Sequence, residues 1–390
     1  MKTLSHGLIV FGLAFAGVAW AEGDVVNAAT YAKDIAPILN ARCVQCHRPG
    51  EVAPMSLLTY NEVRPWVKSI EKRVLVEKSM PPWHADPAHG TFKNDPRLTE
   101  AECAVLAAWI KAGAPMGNEA DLPPVREFPG GWVLGEPDYV LELDPYEIVA
   151  EGPDRFENQS AAIELPEDRW IRAIEIQPSA KRAVHHIFAY VSDDGKKVGG
   201  KIGEYSAGEG PVEFQAGSGR FVKKGQPVVV SIHYHPYGEA VVDKTRIGLY
   251  FADGKIERES VAMAVSNASF KIPAGAKNYE VKASHTFEQD STITTLGPHM
   301  HRRGTDMTIS AVFPDGRTET LVKSNWNPAW NIKYELAQPL AAPKGTRLDV
   351  VAHYDNSAEN PNNPDPTKDL TFGVDEMMIG FVDYLVDRKE

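Results

Sequence analysis

From about residue 137 onward, short runs of β-branched and aromatic residues alternate with glycine, proline, asparagine and aspartate. Examples are "AVHHIFAYV", "QPVVVSIHYHPYG", "MTISAVFPDGR" and "TRLDVVAHYDNS". Branched and aromatic side chains favour a pleated, half-buried surface, and the residues between them favour turns, so the pattern is typical of an antiparallel sandwich. The stretch is long for one sandwich. We therefore predict two all-β domains, at 137–270 and 271–390.

Residues 31–117 carry a helical pattern instead. The stretches "YAKDIAPILNARC", "NEVRPWVKSIEKRVLVEK" and "TEAECAVLAAWIKAGAP" each place apolar residues on one helical face. Thr99 and Glu102 give the third stretch a capping-box signature at its start. We predict a small all-α domain over 22–117, joined to the β region by a linker at 118–136 that is rich in proline, glycine and charge.

Within the helical region, residues 42–50 read "RCVQCHRPG", which contains the attachment signature of a c-type haem. In this motif the thiols of Cys43 and Cys46 bind the haem covalently and His47 is the proximal axial ligand. A Cys43–Cys46 disulfide is the alternative in an exported chain, but the histidine directly after the pair favours one haem c. Three helices around this motif resemble a class I cytochrome c. Cys103, the third cysteine, is predicted to be a small buried residue on a helix.

The sixth haem ligand must come from elsewhere in the chain. Met80 in "SMPPWHAD" is our prediction, because it sits on a proline-stiffened loop between the second and third helical stretches. Thioether ligation raises the haem potential, which suits an electron carrier. Met55 and His84 are the alternatives.

The first 21 residues have the pattern of a cleaved signal peptide: a positive start at Lys2, a short apolar run and "AWA" before Glu22. The apolar run is short for a membrane span, so we predict no stable span and a periplasmic or secreted protein. The net charge of −12 argues against a nucleic-acid partner, because phosphate binding relies on lysine and arginine.

Histidines cluster in the β region. His185 and His186 are adjacent, and two H-x-H motifs follow in "SIHYHPYG" and "GPHMHRRG". Side chains two residues apart point to the same face of a strand, so both imidazoles of an H-x-H motif can bind one metal. Adjacent histidines can do so only at a strand end or bulge, or through different ring nitrogens. Imidazole suits Cu, Zn, Fe and Ni, and thioether sulfur favours Cu(I).

The order H-H, H-Y, H-x-H and then D-E-M resembles the copper type II, ascorbate-dependent monooxygenases, which include peptidylglycine α-hydroxylating and dopamine β-monooxygenases. The resemblance covers roughly 137–390. The stretches "WNPAWNIKYEL" and "HYDNSAENPNNPDP" look like those of bacterial relatives, which often carry an N-terminal cytochrome with a CxxCH motif. The resemblance implies two jelly-roll-like sandwiches, each with one copper, separated by a solvent-filled cleft.

The same resemblance assigns the copper ligands. His185, His186 and His233 would bind the electron-transfer copper, and His299, His301 and Met377 would bind the catalytic copper. Met378 is the fallback for Met377, and His235 is a supporting or alternative ligand. The roles of His285 and His353 stay open.

Two positions depart from the peptide-amidating members. Gly297 stands where those enzymes carry an arginine that holds the substrate carboxylate. Ile379 and Phe381 stand where they carry asparagine and tyrosine. A neutral or apolar substrate is therefore more plausible than a peptide glycine.

The fold-class prediction is thus a small all-α cytochrome c domain followed by two all-β copper domains. The predicted function is an exported dicopper monooxygenase that hydroxylates a C–H bond of a small organic substrate with O₂. An external donor would reduce the tethered haem, which would feed the coppers. Two alternatives stay open: an electron-transfer or copper-handling protein without turnover, and an oxidase or dehydrogenase whose haem accepts electrons.

Overall fold

The computed structural model describes residues 29–128, 130–195, 199–373 and 375–388 of the 390-residue chain. The predicted signal peptide at 1–21 lies outside the described residues. About 40% of the described residues are in strands and 12% are in helices. The protein is therefore predominantly a β structure.

The strands are numbered in chain order. They are β1 (Tyr139–Glu142), β2 (Tyr146–Ile148), β3 (Arg155–Ala162), β4 (Arg169–Gln177), β5 (Val184–Val191), β6 (Lys201–Ser206), β7 (Val212–Glu213), β8 (Ser218–Val222), β9 (Pro227–Tyr234), β10 (Val241–Asp243), β11 (Arg246–Phe251), β12 (Arg258–Ser266), β13 (Lys271–Ile272), β14 (Tyr279–Thr286), β15 (Ser291–Met300), β16 (Gly304–Val312), β17 (Thr318–Asn325), β18 (Tyr334–Ala342), β19 (Arg347–Tyr354), β20 (Leu370–Thr371) and β21 (Met378–Asp387).

One nine-stranded sheet runs through the β region in the order β1-β11-β4-β8-β12-β21-β15-β18, with β7 beside β4. The four-stranded sheet β3-β9-β5-β6 packs on its first part, and the four-stranded sheet β14-β19-β16-β17 packs on its second part. Two short pairs, β2–β10 and β13–β20, complete the strand pairing. Side chains of a strand alternate between its two faces, which explains how the sheets pack as layers. In β19 every second residue, from Leu348 to Tyr354, is buried between the sheets.

The first β half (β1–β11) and the second β half (β12–β21) are joined through the nine-stranded sheet. β8 and β12 pair in parallel, with Arg258 opposite Ser218. Beside this pairing, buried Arg220 donates to Asp383 on β21 at 2.8 Å. Lys333, just before β18, pairs with Glu204 at 3.5 Å and with Glu209 at 3.3 Å. Buried ion pairs therefore hold β6 and β8 against β18 and β21.

The predicted fold class is wrong, because the described residues are mostly β-sheet with only short helices, and no all-α cytochrome c domain is visible among them. The α-helices of the described N-terminal residues are short. They are α1 (Ala36–Arg42), α2 (Tyr60–Val63), α3 (Val67–Ile70) and α4 (Glu100–Lys111), with π-helical turns at Tyr31–Ile35 and Glu71–Val76 and 3₁₀ turns at Arg64–Trp66 and Glu119–Asp121. None of the described helices has the length and apolar character needed to cross a membrane.

The second helical stretch is helical from 60 to 76, as four short consecutive elements. Proline lacks a backbone N–H and its ring clashes with the preceding turn, so Pro65 interrupts the predicted helix with a 3₁₀ turn between α2 and α3. The apolar periodicity continues across this break, which is why the sequence pattern predicts one long helix.

The chain between Glu71–Val76 and α4 leaves the helices and packs on the second β half. Asp86 N–H donates to the Lys323 carbonyl at 2.8 Å, and Lys93 N–H donates to the Glu335 carbonyl at 3.0 Å. Ala85 also pairs with Ser324 as an isolated β-bridge. The helical segments are therefore an attachment to the β region, which fixes the CxxCH motif against it.

The buried ion pair at the junction gives a test of this architecture. Replacing Arg220 with alanine leaves the Asp383 carboxylate without its partner in a buried position, so we expect a loss of about 3–5 kcal/mol in the free energy of unfolding. Chemical denaturation measures the change. Lys277→Ala is the control, since its pair with Glu359 is exposed and we expect no measurable change. Equal stability of the Arg220→Ala variant and the parent would contradict the account.

Candidate functional site

A cavity of about 1000 Å³ lies where the helical segments meet the two β halves. The CxxCH residues and the loop at 80–82 line one side of it, and histidines from both β halves line the other. The candidate residues on its wall are Cys43, Cys46, His47, Met80, His185, His186, His233, His299 and His301. The structure thus brings nine of the ten predicted site residues to one cavity.

The first histidine group consists of His185, His186 and His233. The pairing of β5 with β9 shifts register between Val184 and His186, so a β-bulge lies at His185. His186 is directly opposite His233 in that pairing. A bulge is the condition under which adjacent histidines can reach one metal. One ring nitrogen from each of the three lies within 4.8 Å of the others.

Hydrogen bonds indicate which nitrogens of this group carry lone pairs. His185 Nε2 lies 3.1 Å from the Pro328 carbonyl and His233 Nε2 lies 3.0 Å from an Asp154 oxygen, so both Nε2 atoms donate. The lone pairs are then on Nδ1. The Nδ1 atom of His233 is buried without a hydrogen-bond partner, and the Nδ1 atoms of His185 and His186 are 3.1 Å apart. These nitrogens fit a bound metal ion.

Burial keeps the imidazoles of His185 and His186 neutral. It lowers the pKa of His185 to about 4, with the nearby His233 ring as a second cause. It also lowers the pKa of His186 well below its usual range, and the His185 ring adds to that effect. In the second histidine group, burial lowers the pKa of His299 to about 4. Neutral imidazole is the form that binds metals, so the donor set fits Cu, Zn, Fe or Ni.

The second histidine group consists of His299 and His301 at the end of β15, whose ring centroids are 5.6 Å apart. Neighbouring β21 places Ile379 opposite His299 and Met378 opposite Met300. Met378 and Met300 are buried in the core. Because side chains alternate, half-buried Met377 lies on the face of His299, which favours it over Met378 as the sulfur ligand. The role of Met377 as a copper ligand stays a prediction.

A buried carboxylate fixes the backbone of the second group. Glu376 accepts hydrogen bonds from the N–H groups of His301, Arg303 and Met377. Burial raises the pKa of Glu376 to about 7, against the opposing effect of those three bonds. The position of Met377 relative to His301 therefore depends on this side chain. The sequence motif "DEM" contains Glu376, but a motif does not reveal which backbone N–H groups this carboxylate binds.

The two histidine groups touch each other. The ring centroids of His186 and His299 are 5.8 Å apart. Between them, Asn331 Nδ2 donates to His186 Nδ1 at 2.7 Å and Asn331 Oδ1 accepts from His299 Nδ1 at 3.1 Å. This contact differs from the expected arrangement, in which a solvent-filled cleft separates the groups. Sequence reasoning missed Asn331 because it lies 145 positions from His186.

Asp154 is the second residue that sequence reasoning missed. Its carboxylate accepts from His233 Nε2 at 3.0 Å, from His235 Nδ1 at 2.7 Å and from Arg302 at 3.0 Å. The hydrogen bond from His233 is the main reason that the pKa of Asp154 lies far below its usual range. Asp154 therefore fixes the ring of His233 and ties it to the residue after His301. His235 is exposed and donates to the same carboxylate.

The CxxCH residues lie on the helical side of the cavity. Burial raises the pKa of the Cys43 thiol to about 12 and that of the Cys46 thiol to about 11. Both cysteines are free. His47 Nδ1 lies 3.3 Å from the Met55 carbonyl, so Nδ1 donates and Nε2 carries the lone pair. Two free thiols and an oriented imidazole at one cavity fit a covalently bound haem.

The three candidates for the sixth haem ligand occupy different surroundings. Met80 lines the same cavity as Cys43, Cys46 and His47. Met55 packs against the helical core, with its carbonyl engaged by His47. His84 has a buried Nε2 without a hydrogen-bond partner, and burial lowers its pKa. The arrangement favours Met80.

The remaining histidines and cysteine lie elsewhere. His285 is exposed on β14. His353 on β19 bonds through Nδ1 to Asp306 at 2.9 Å. Cys103 is half-buried on α4 rather than fully buried as predicted.

No protein-family model and no curated protein matches the chain. Among solved structures, the chain resembles the major capsid protein P2 from bacteriophage PM2, with 9% identity and a TM-score of 0.27 over 61% of this chain and 99% of that one. It also resembles the PBSX exported protein XepA, with 11% identity and a TM-score of 0.20 over 58% and 89%. The STIV MCP matches with 9% identity and a TM-score of 0.23 over 52% and 96%. TM-scores this low carry no argument about fold or function.

The contact between Asp154 and His233 predicts a metal-binding effect. Asp154→Asn weakens the orientation of the His233 ring, so copper affinity at the first histidine group should fall roughly 10–100-fold. Equilibrium dialysis against a copper buffer measures it. Asp306→Asn is the matched control, because Asp306 forms the same kind of pair with His353 on another sheet. If both variants bound copper as the parent does, Asp154 would have no positioning role.

The cysteine side of the cavity predicts one covalently bound haem. Replacing Cys43 and Cys46 together with alanine should abolish covalent haem attachment, which a haem stain on a denaturing gel detects. Met80→Ala should retain the haem but remove the weak charge-transfer band of methionine bound to ferric iron. A band that survives in Met80→Ala and disappears in Met55→Ala would move the sixth ligand to Met55.

Proposed function

We propose that this protein is an exported copper monooxygenase of the type II, ascorbate-dependent kind, with a built-in haem as electron donor. The reaction is RH + O₂ + 2e⁻ + 2H⁺ → ROH + H₂O. The observation that carries the proposal is that both histidine groups, the CxxCH residues and Met80 line one cavity. A donor held in the same chain as its acceptor acts at high effective concentration.

Copper ions bound at the two histidine groups would supply two one-electron carriers and a position for O₂. The residues of the chain prepare both groups. Asp154 and the Pro328 carbonyl accept from the Nε2 atoms of His233 and His185, which leaves Nδ1 of both rings as the lone-pair nitrogen. Asn331 accepts from His299 Nδ1, which leaves Nε2 of that ring as the lone-pair nitrogen.

The cavity wall supports a neutral or apolar substrate. Phe156, Trp326 and Trp330 contribute aromatic surface, and Phe156 stacks on the His233 ring with centroids 4.1 Å apart. The cationic side chains nearest the histidines are engaged by the protein, since Arg302 pairs with Asp154 and Arg303 donates to Asn363. An apolar wall with engaged charges favours an uncharged ligand.

The second candidate is an electron-transfer protein without turnover. The close approach of His186 and His299 favours it, because neighbouring metal sites exchange electrons without needing a substrate cavity. The two candidates differ in product formation.

The test uses the full chain with its haem and copper, a reductant, ¹⁸O₂ and a panel of neutral small organic compounds. We expect one ¹⁸O atom in a hydroxylated product, detected by mass spectrometry, and the other in water. His301→Ala should abolish the product, whereas His285→Ala should retain it because His285 lies on β14, in another sheet.

Oxygen-dependent reoxidation of the haem is a second readout, and the monooxygenase proposal requires copper for it. Reoxidation that needs copper but gives no labelled product from any compound would favour the electron-transfer alternative. Reduction of the haem by a substrate would favour a dehydrogenase instead.

A further inference from the structure

Asn331 is the side chain that joins the two histidine groups. Its amide nitrogen donates to His186 Nδ1 at 2.7 Å, and its amide oxygen accepts from His299 Nδ1 at 3.1 Å. His186 is on β5 of the first half and His299 is on β15 of the second. One amide group therefore holds a ring from each half.

The hydrogen bond to His186 occupies a nitrogen that a metal would need. Nδ1 of a neutral imidazole has one lone pair, which lies in the plane of the ring. His185 Nδ1 lies 3.1 Å from this same nitrogen, and one ring nitrogen of each histidine in the first group lies within 4.8 Å of the others. A metal ion bound through His186 Nδ1 must take the lone pair from the Asn331 amide.

The segment that carries Asn331 is held on both sides, so we expect the side chain to move. Trp326 N–H donates to the Thr305 carbonyl at 2.9 Å, and the Trp326 ring nitrogen donates to the His301 carbonyl at 2.8 Å. After Asn331, Lys333 N–H donates to buried Glu209 at 3.2 Å. Displacement from His186 therefore rotates the amide and breaks its contact with His299, rather than shifting the whole segment.

We propose that Asn331 couples metal loading of the two histidine groups: a metal ion on His185, His186 and His233 displaces the amide from His186 and thereby releases His299. This inference rests on the proposed function, since it takes copper as the ion at both groups. Coupling of this kind is reciprocal, so the occupancy of each group changes the affinity of the other. Asn331 is a positioning residue, because it acts through the rings of His186 and His299.

The first experiment isolates the first group. In a His301→Ala background, which removes a ligand of the second group but leaves His299 beside Asn331, copper(I) affinity is measured by anaerobic equilibrium dialysis against a chelator buffer. Adding Asn331→Ala removes the competing donor, so the first group should bind copper(I) roughly two- to ten-fold more tightly, the effect of one ordinary hydrogen bond. Asn327→Ala is the matched control in the same segment and should leave the affinity unchanged.

The second experiment separates coupling from a structural role. In a His185→Ala background, which disables the first group, Asn331→Ala should weaken copper(I) binding at the second group because His299 loses its orienting acceptor. Asn331→Asp keeps an acceptor for His299 and lacks the amide donor. It should therefore retain the second-group affinity while still tightening the first group. A residue that only supports the fold would lower both affinities in both variants.

The outcomes distinguish this inference from the proposed function. Equal first-group affinity with and without Asn331→Ala would overturn the coupling and leave the copper proposal intact. Weaker first-group binding would also overturn it, because the metal would then use the other nitrogen of His186 and need the amide. A first group that binds no copper(I) in the His301→Ala background would overturn both.

Discussion

The junction between the two β halves sets the position of the histidines. Arg220 and Asp383 form a buried pair across it, and Lys333 reaches Glu204 and Glu209 from the start of β18. Lys333 lies two residues after Asn331, so the same contacts fix the segment that carries the bridging amide. Burying these charges is tolerable because each has a partner of opposite sign. With the halves held in this way, the rings of His186 and His299 lie 5.8 Å apart between centroids.

The attachment of the helical segments to the β region brings the proposed haem site to the cavity of the histidine groups. The chain from Ala85 to Lys93 pairs with β17 and β18. This pairing places the loop at 80–82 and the CxxCH motif on the cavity. The Cys46 sulfur packs so closely against Gly208 that a side chain at that glycine would collide with it. The cysteines are therefore held against the first β half, on the cavity that both histidine groups line. An electron that enters at the CxxCH motif would need to cross this cavity to reach a metal at the histidine groups.

Some of this arrangement follows from local sequence and some does not. The alternating runs predict the strands, and the bulge at His185 satisfies the geometric condition that adjacent histidines impose on a shared metal. The helical pattern predicts its three stretches too, since 31–42, 60–76 and 100–111 are helical, with a 3₁₀ turn at Pro65. The roles of Asn331 and Asp154 depend on which strands pair and in which register. Their partners lie 145 and 79 positions away, and no local propensity encodes such a contact.

The function that we propose requires two separate copper ions, one at each histidine group. Anomalous diffraction at the copper absorption edge, from crystals of the copper-loaded full chain, tests it most directly. We expect two peaks in the anomalous difference map, one among His185, His186 and His233 and one among His299, His301 and Met377. A single peak between His186 and His299, or zinc at the first group and no copper at either, would contradict it.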